Sequence, residues 1–204
     1  MSLLLAGLAP AKDQKLDSLL HTVEQRYNKA KTLSLHFTES YSAGKRVRRT
    51  ESGVLELRKP GKMRWNYTEP AGKIFLSDGK YFYLYKPDTN RVEKTRLKES
   101  EDLRAPLAFL LGKLNFYKEF SGFSSRREGD GTWIEARPNS AALPYSEVHF
   151  LVTPDGRINR LRVMNDDLST LDFTFEQEVL NPPFDSARFN FQLPPGAEIV
   201  EGAE

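Results

Sequence analysis

Three histidines and two adjacent aspartates are the side chains in this sequence with the most obvious potential for chemistry. His21, His36 and His149 fall on separate predicted elements, at no spacing typical of metal ligands. Each is therefore interpreted as a surface or hydrogen-bonded histidine. Asp166 and Asp167 could pose as paired carboxylates, but neighbouring strand residues point to opposite faces. The sequence around the two aspartates is typical of a turn.

Sequence motifs of catalysis are missing throughout the chain. It contains no glycine-rich phosphate loop, no nucleophile elbow and no HExxH helix. The absence of cysteine excludes disulfides, thiolate zinc sites and a lipid-modified N-terminal cysteine. We expect a protein that is not an enzyme and that uses no cofactor and no metal, with an unrecognised hydrolase as an alternative.

Composition excludes two broad classes of protein. Of the 204 residues, 39% are apolar and 28% are charged, which fits neither a disordered chain nor a membrane-spanning one. The net charge of +2 does not indicate a polyanionic partner. Tyr81–Lys86 could stack on single-stranded nucleic acid with help from Lys73 and Lys80. Its aromatic residues alternate with apolar ones, however, so sheet core is the preferred interpretation and no nucleic acid is expected.

The N-terminus resembles the end of an export signal. Leu3–Ala9 is apolar, and Ala9–Ala11 fits a small-x-small cleavage site, although no basic residue precedes it. We expect residues 1–11 to be a signal-peptide remnant or leader, residues 12–200 to be a single domain and residues 201–204 to be a tail.

The next segments have the periodicity of a helix followed by strands. Lys12–Lys31 places Leu16, Leu19, Leu20, Val23 and Tyr27 on one stripe, which predicts an amphipathic helix. Further runs alternate or lie between Asp-Gly and Pro-Asp turns, which predicts about ten or eleven strands in a large antiparallel sheet. These runs are Leu33–Tyr41, Leu55–Pro70, Lys73–Pro87, Arg91–Leu97, Thr132–Ala136, Tyr145–Val152, Arg157–Asn165, Thr170–Val179 and Arg188–Gln192.

One strand carries apolar residues on both faces. Tyr81, Tyr83 and Tyr85 point one way, and Phe82 and Leu84 point the other. Such a strand is buried on both sides, or it lines a space that accepts apolar surface.

Ser100–Lys113 interrupts the strand pattern. Acidic residues, Pro106 and a leucine-rich run predict one or two short helices that restart at the proline. The apolar content of this segment requires that it be covered, or that it cover another part of the protein.

Several short motifs in combination resemble the outer-membrane lipoprotein carrier family, LolA. The matching positions are Phe37–Glu39, Gly53–Leu55, Leu57–Trp65, Tyr67–Pro70, Ser77–Lys80, Tyr83–Tyr85 and Pro87. Leu107, Leu110 and Leu111 stand where the family has a helix. Phe189–Phe191 and Pro194–Gly196 resemble its closing strand and tail.

The resemblance implies an α+β fold, in which a strongly curved antiparallel sheet of about eleven strands forms an unclosed half-barrel. A lid of short helices would cover an apolar cavity. Family members work in the periplasm, where they accept lipoproteins from an inner-membrane ABC transporter and deliver them to an outer-membrane receptor. That receptor is anchored through an N-terminal cysteine, which this chain lacks, so the resemblance is to the carrier. We expect a monomer.

The resemblance also implies a lipid-binding wall and a latch. The family has a basic residue, usually arginine, before the proline of the strand-end motif, where it bonds lid-helix carbonyls. Lys59 stands here instead, and lysine lacks the planar fork of arginine. The expected lining consists of Leu20, Val23, Tyr27, Leu35, Phe37, Leu55, Leu57, Met63, Trp65, Phe82, Leu84, Leu107, Leu110 and Leu111.

Two alternatives to the carrier remain besides the hydrolase. A related protein of the same fold could bind a different lipid or sense envelope stress without transport. A structural interaction domain is the more distant possibility.

Overall fold

A computed structural model describes residues 11–44, 46–96, 113–141, 143 and 145–201, with the backbone alone for residues 11–13. The predicted helices of Ser100–Lys113, with Leu107, Leu110 and Leu111, lie outside the described residues, as does all of that segment except Lys113. The described elements are α1 (Ala11–Lys29), β1 (Thr32–Ala43), β2 (Arg46–Arg58), β3 (Lys62–Glu69), β4 (Ile74–Asp78), β5 (Tyr81–Lys86), β6 (Arg91–Arg96), α2 (Phe116–Glu119), β7 (Phe120–Glu128), β8 (Gly131–Pro138), β9 (Glu147–Val152), β10 (Ile158–Met164), β11 (Ser169–Leu180), a 3₁₀ helix (Ser186–Phe189) and β12 (Glu198–Glu201).

The described strands form one unclosed, curved sheet of twelve. Their order is β12-β6-β5-β4-β3-β2-β1-β11-β10-β9-β8-β7. Neighbours are antiparallel except β12 and β6, which run parallel. Two meanders, β1–β6 and β7–β11, therefore meet at the central pair of β1 and β11. The half-barrel fold predicted from the sequence is confirmed.

Three local assignments differ from the sequence interpretation. The predicted strand Arg188–Gln192 is wrong, because Ser186–Phe189 forms a 3₁₀ helix. The carboxylate of Asp185 caps this helix by accepting a hydrogen bond of 2.9 Å from the backbone N–H of Ala187. Strands β7 and β12 have no predicted counterpart.

Helix α1 packs on one face of the sheet, here called the inner face. Leu20, Val23 and Tyr27 of α1 are buried against it. The inner face is continuous across both meanders, since the same core cluster contains Trp65 of β3 and Phe150 of β9. The predicted stripe of α1 therefore meets the alternating apolar residues of the strands.

The outer face of β3–β5 is covered by the chain that follows β11. Phe189 of the 3₁₀ helix and Leu76 of β4 are fully buried. The ring of Phe191 stacks on Tyr83, with centroids 4.6 Å apart and planes within 2°. Strand β5 is therefore apolar on both faces because α1 and the core lie on one side and the C-terminal segment on the other.

Candidate functional site

The structure gathers most of the predicted lining on the inner face. Ten of these residues are buried in a single cluster, and Leu84 is partly buried against it. The ten are Leu20, Val23, Tyr27, Leu35, Phe37, Leu55, Leu57, Met63, Trp65 and Phe82. Leu107, Leu110 and Leu111 lie outside the described residues.

Strand β5 shows which of its faces belongs to this cluster. Phe82 stacks on Phe75 with ring centroids 4.9 Å apart, and both rings belong to the inner cluster. Tyr83, which points the other way, donates a hydrogen bond of 3.2 Å to Asp78. Tyr85 likewise donates one of 3.0 Å to Asn90. The hydroxyl groups therefore find polar partners away from the apolar core.

The other half of the inner face has no counterpart in the predicted lining. Strand β11 contributes Leu171, Phe173 and Phe175, and β10 contributes Leu161 and Val163. Their alternation along the strands was a visible signal of one-sided burial. The alternation does not say whether these residues lie on the same face as the apolar residues of β1–β5. The pairing of β1 with β11 decides this, because it places Phe37 opposite Phe175.

Aromatic rings fill the centre of the inner face. Phe37 meets Trp65 edge-on at a centroid distance of 4.5 Å, and the ring of Phe173 lies 5.7 Å from that of Trp65. Trp65 is fully buried, and its indole Nε1 has no hydrogen-bond partner among the described residues. A buried unpaired N–H costs about 1–3 kcal/mol, so an acceptor placed beside this donor would be stabilising.

One end of the inner face is polar. Glu39 of β1 lies opposite Glu51 of β2, and both are buried. Lys73 pairs with Glu51 over 2.5 Å and lies above the ring of Tyr67, with its Nζ 4.2 Å from the centroid. The hydroxyl of Tyr67 donates a hydrogen bond of 3.4 Å to Glu39. The inner face therefore changes from aliphatic near the C-terminal end of α1 to charged at its far end.

Polar contacts along one side of α1 attach the helix to β11. Arg26 donates two hydrogen bonds, of 3.0 and 2.6 Å, to one carboxylate oxygen of Glu178. Tyr27 donates one of 2.6 Å to the other oxygen, while its hydroxyl accepts one of 3.0 Å from the backbone N–H of Ile158. Burial, reinforced by the adjacent Glu178, raises the pKa of the Tyr27 phenol. The phenol therefore stays protonated and keeps donating.

The opposite side of α1 contacts the segment before β7. The side-chain amide of Asn28 donates to the carbonyl of Leu114 and accepts from its N–H, at 2.8 and 2.7 Å. Glu24 accepts a hydrogen bond of 2.8 Å from the N–H of Phe116, and Asp17 accepts one from Tyr117. Polar contacts therefore border the apolar stripe of α1 on this side too.

Lys59, the predicted latch residue, lies at the C-terminal end of α1. Its Nζ donates a hydrogen bond of 2.7 Å to the main-chain carbonyl of Tyr27, and its backbone N–H donates one of 2.9 Å to Lys31. Partial burial lowers the pKa of the Lys59 ammonium. The last carbonyls of a helix lack intrahelical partners, and a cation there also complements the helix dipole.

None of the helices described in this structure is long and apolar enough to cross a membrane.

The comparisons with known proteins agree with the fold. Residues 28–192 match the family model described as "Outer membrane lipoprotein carrier protein LolA". An outer-membrane lipoprotein carrier protein from Chromobacterium violaceum is 28% identical over 85% of this chain and 82% of its own length. One from Pseudomonas aeruginosa is 25% identical over 96% of this chain and 92% of its own.

A solved structure supports the architecture alone. The crystal structure of an uncharacterized conserved protein from Thermus thermophilus aligns with a TM-score of 0.55 at 14% identity, covering 93% of this chain and all of that one. The family match spans most of the sequence and most of the described sheet. This chain belongs to the LolA family of outer membrane lipoprotein carrier proteins.

Proposed function

We propose that this protein is a periplasmic carrier that shields the acyl chains of lipoproteins against the inner face of its sheet. The observation that carries the proposal is one continuous apolar sheet face that the amphipathic helix α1 covers. The protein would receive lipoproteins from an inner-membrane ABC transporter and deliver them to an outer-membrane receptor. It would act as a monomer and without enzymatic activity.

The energetics of acyl chains explain why a carrier is needed. Burying one methylene contributes about 0.8 kcal/mol, so a chain of about fifteen methylenes gains roughly 12 kcal/mol. A lipoprotein therefore does not leave a membrane unless another apolar surface replaces the bilayer. The inner face supplies such surface through its aliphatic and aromatic side chains.

Displacement of α1 is the route by which chains would reach this surface. In the structure, Leu20, Val23 and Tyr27 of α1 cover the apolar sheet residues. Acyl chains would cover the same sheet residues after the helix moved away. Either α1 or the acyl chains can keep the apolar side chains of the sheet away from water. Replacing the helix by acyl chains therefore changes the hydrophobic free energy of the sheet little. The hydrogen bonds at the borders of α1 would then set the balance between closed and open states.

Lys59 is the proposed latch among these contacts. Its bond to the Tyr27 carbonyl joins the end of β2 to the last turn of α1. A lysine makes this contact through one ammonium group, where an arginine could donate from several nitrogens in a fixed plane. Opening this latch therefore requires the breaking of one side-chain hydrogen bond.

Trp65 would add selectivity to the same wall. Acyl groups are joined to proteins and glycerol through amides and esters, whose carbonyls lose hydrogen bonds to water when they are buried. The unpartnered Nε1 of Trp65 lies between the aliphatic and the charged ends of the inner face. It would donate to one such carbonyl.

The decisive experiment measures release of a triacylated lipoprotein from vesicles into the soluble fraction, with and without the full chain. A photoreactive amino acid replacing the half-buried Leu84 should cross-link to the acyl chains. The same group at Val47, 64% exposed on the β1–β2 hairpin, should not.

The outcomes separate the alternatives. Failure to solubilise the lipoprotein, together with no acyl cross-link at Leu84, would reject the carrier. Acyl cross-linking without onward transfer to receptor-bearing vesicles would instead favour a lipid-binding protein that does not transport. Ester turnover that is lost on mutation of one carboxylate would indicate the hydrolase.

A further inference from the structure

We propose that Glu135, Glu147 and His149 form a binding site for a zinc-like divalent cation on the outer face of the sheet. This site lies on the opposite side of strands β8 and β9 from the buried core residues Ile134 and Phe150. It is independent of the proposed carrier function.

Strand register brings the three side chains together. Strands β8 and β9 are antiparallel, with Glu135 directly opposite His149. Glu147 precedes His149 by two residues on β9, and residues two apart on a strand share a face. One imidazole nitrogen and one oxygen from each carboxylate all lie within 4.8 Å of one another. Modest side-chain rotations would bring all three atoms to metal-bonding distances of about 2.0–2.2 Å.

Neighbouring groups hold two of these donors in place. Ser124 of β7 donates a hydrogen bond of 3.0 Å to Glu135. The ring of Trp133 meets the His149 ring edge-on, with centroids 6.4 Å apart. His149 is 16% and Glu147 29% exposed at the side chain, so the donors are restrained by the sheet but open to solvent on one side. Hydrogen bonds and packing around metal ligands orient them in this way.

The local charge favours a cation. Among the described residues, neither Glu135 nor Glu147 forms an ion pair with a lysine or an arginine, and the carboxylate of Glu147 pairs with His149. Arg162 lies opposite His149 on β10 but bonds to Asp172 at 2.6 Å. Glu147 therefore pairs with the imidazole while Glu135 bonds to the Ser124 hydroxyl, and a divalent cation would balance both carboxylates.

The donor set indicates the class of cation. One imidazole nitrogen and two carboxylate oxygens suit zinc and its transition-metal neighbours, with water completing a tetrahedron. Magnesium and calcium prefer sites made wholly of oxygen atoms. Binding would replace the contact between His149 and Glu147 with bonds from both residues to the metal, and would join β8 to β9.

The test is calorimetric titration of chelator-treated full-length protein with zinc chloride, with magnesium chloride as the comparison. One equivalent of zinc should bind saturably and raise the thermal unfolding midpoint, while magnesium should do neither. Exchanging His149→Ala or Glu135→Gln should weaken zinc binding by about 10-fold or more.

Two further histidines provide matched controls. His36 is exposed on the outer face of β1, and His21 is 67% exposed on α1, where it faces Glu24. His36→Ala and His21→Ala should both leave the zinc affinity unchanged.

Zinc binding that survives His149→Ala, or that disappears with His21→Ala, would overturn the assignment, as would an absence of saturable binding. If His149→Ala fails to fold, Glu147→Gln keeps the side-chain volume and tests the same set of ligands. The metal-free melting curves of all variants show whether each remains folded.

Discussion

The Nζ of Lys59 donates a 2.7 Å hydrogen bond to the main-chain carbonyl of Tyr27, the residue whose side chain is bonded to Glu178. One residue of α1 is thus attached to β11 through its hydroxyl and to the end of β2 through its backbone. These strands are separated in the sheet by β1 alone. The last turn of α1 is therefore held from two sides over the central strands.

Lys59→Leu should loosen the C-terminal end of α1. Removing one hydrogen bond from a partly exposed ammonium should cost about 1 kcal/mol of stability. Hydrogen exchange of amides in the last two turns of α1 should quicken, and uptake of an acyl probe should change.

Two variants control for Lys59→Leu. Lys59→Arg restores a donor and should recover slow exchange, while Lys80→Leu replaces an exposed lysine elsewhere and should have no effect. Unaltered exchange and unaltered transfer kinetics in Lys59→Leu would show that Lys59 is not a latch.

Tyr27→Phe should lower the free energy of unfolding at neutral pH and change how this free energy depends on pH in the alkaline range. The loss leaves the N–H of Ile158 unpaired, which should cost about 1–3 kcal/mol. Burial beside Glu178 raises the pKa of Tyr27 above its usual value of 10.0, so the folded protein retains a proton that the unfolded chain releases. The stabilisation is complete below pH 10 and falls as the pH rises further.

Chemical denaturation of both proteins from about pH 8 to pH 11 tests this sign. The free-energy difference between wild type and Tyr27→Phe should narrow above pH 10, by up to about 1.4 kcal/mol per pH unit. A difference that stays constant over this range would contradict the assignment.

Gly53→Ala should be among the most damaging small substitutions. A Cβ on Gly53 would lie 2.0 Å from the carbonyl oxygen of Asn66, which belongs to the paired strand β3. Because that neighbour is backbone, the two strands would have to separate, at a cost of about 3 kcal/mol.

Gly44→Ala is the matched control for backbone strain. Gly44 has φ +61°, yet a Cβ added to it would meet nothing within 4 Å, so the cost should be about 1 kcal/mol of left-handed strain. Equal losses in the two variants, measured by urea denaturation, would show that close strand approach is not the cause at Gly53.

Phe189→Ala should destabilise the protein by about 3–5 kcal/mol, because the ring is fully buried where the chain after β11 covers the sheet. Phe191→Ala, at a half-buried position stacked on Tyr83, should cost less. Thermal unfolding compares the two variants directly. A mild effect of Phe189→Ala would mean that the segment after β11 is not part of the folded core.

Local pattern was sufficient for the part of the apolar site that α1 and β1–β5 supply. The 3.6-residue stripe of α1 identified Leu20, Val23 and Tyr27, and the alternation of β1–β5 identified Phe37 and its neighbours. Periodicity shows which residues share a face, and burial of that apolar face is the largest favourable contribution to the free energy of folding. Turn residues likewise sufficed for a large antiparallel sheet, whereas the unclosed half-barrel was implied by the family resemblance.

The polar parts of the molecule depended on the tertiary structure. Tyr27 meets Glu178 across 151 residues, and no local pattern announces such a pair. Glu135 and His149 had no ligand spacing along the chain, yet the register of β8 with β9 places them opposite one another. Strand β5 carries apolar residues on both faces, and only the stacking of Phe191 on Tyr83 shows what covers its tyrosine face.

The sequence by itself therefore determined α1, most of the strands of the described sheet and the family. Tertiary structure alone decided how the two meanders join at β1 and β11, and with that junction which polar groups meet. The physical reason is range. Hydrophobic burial is non-directional and tolerates any partner surface, whereas hydrogen bonds and metal coordination require particular atoms within a few ångströms.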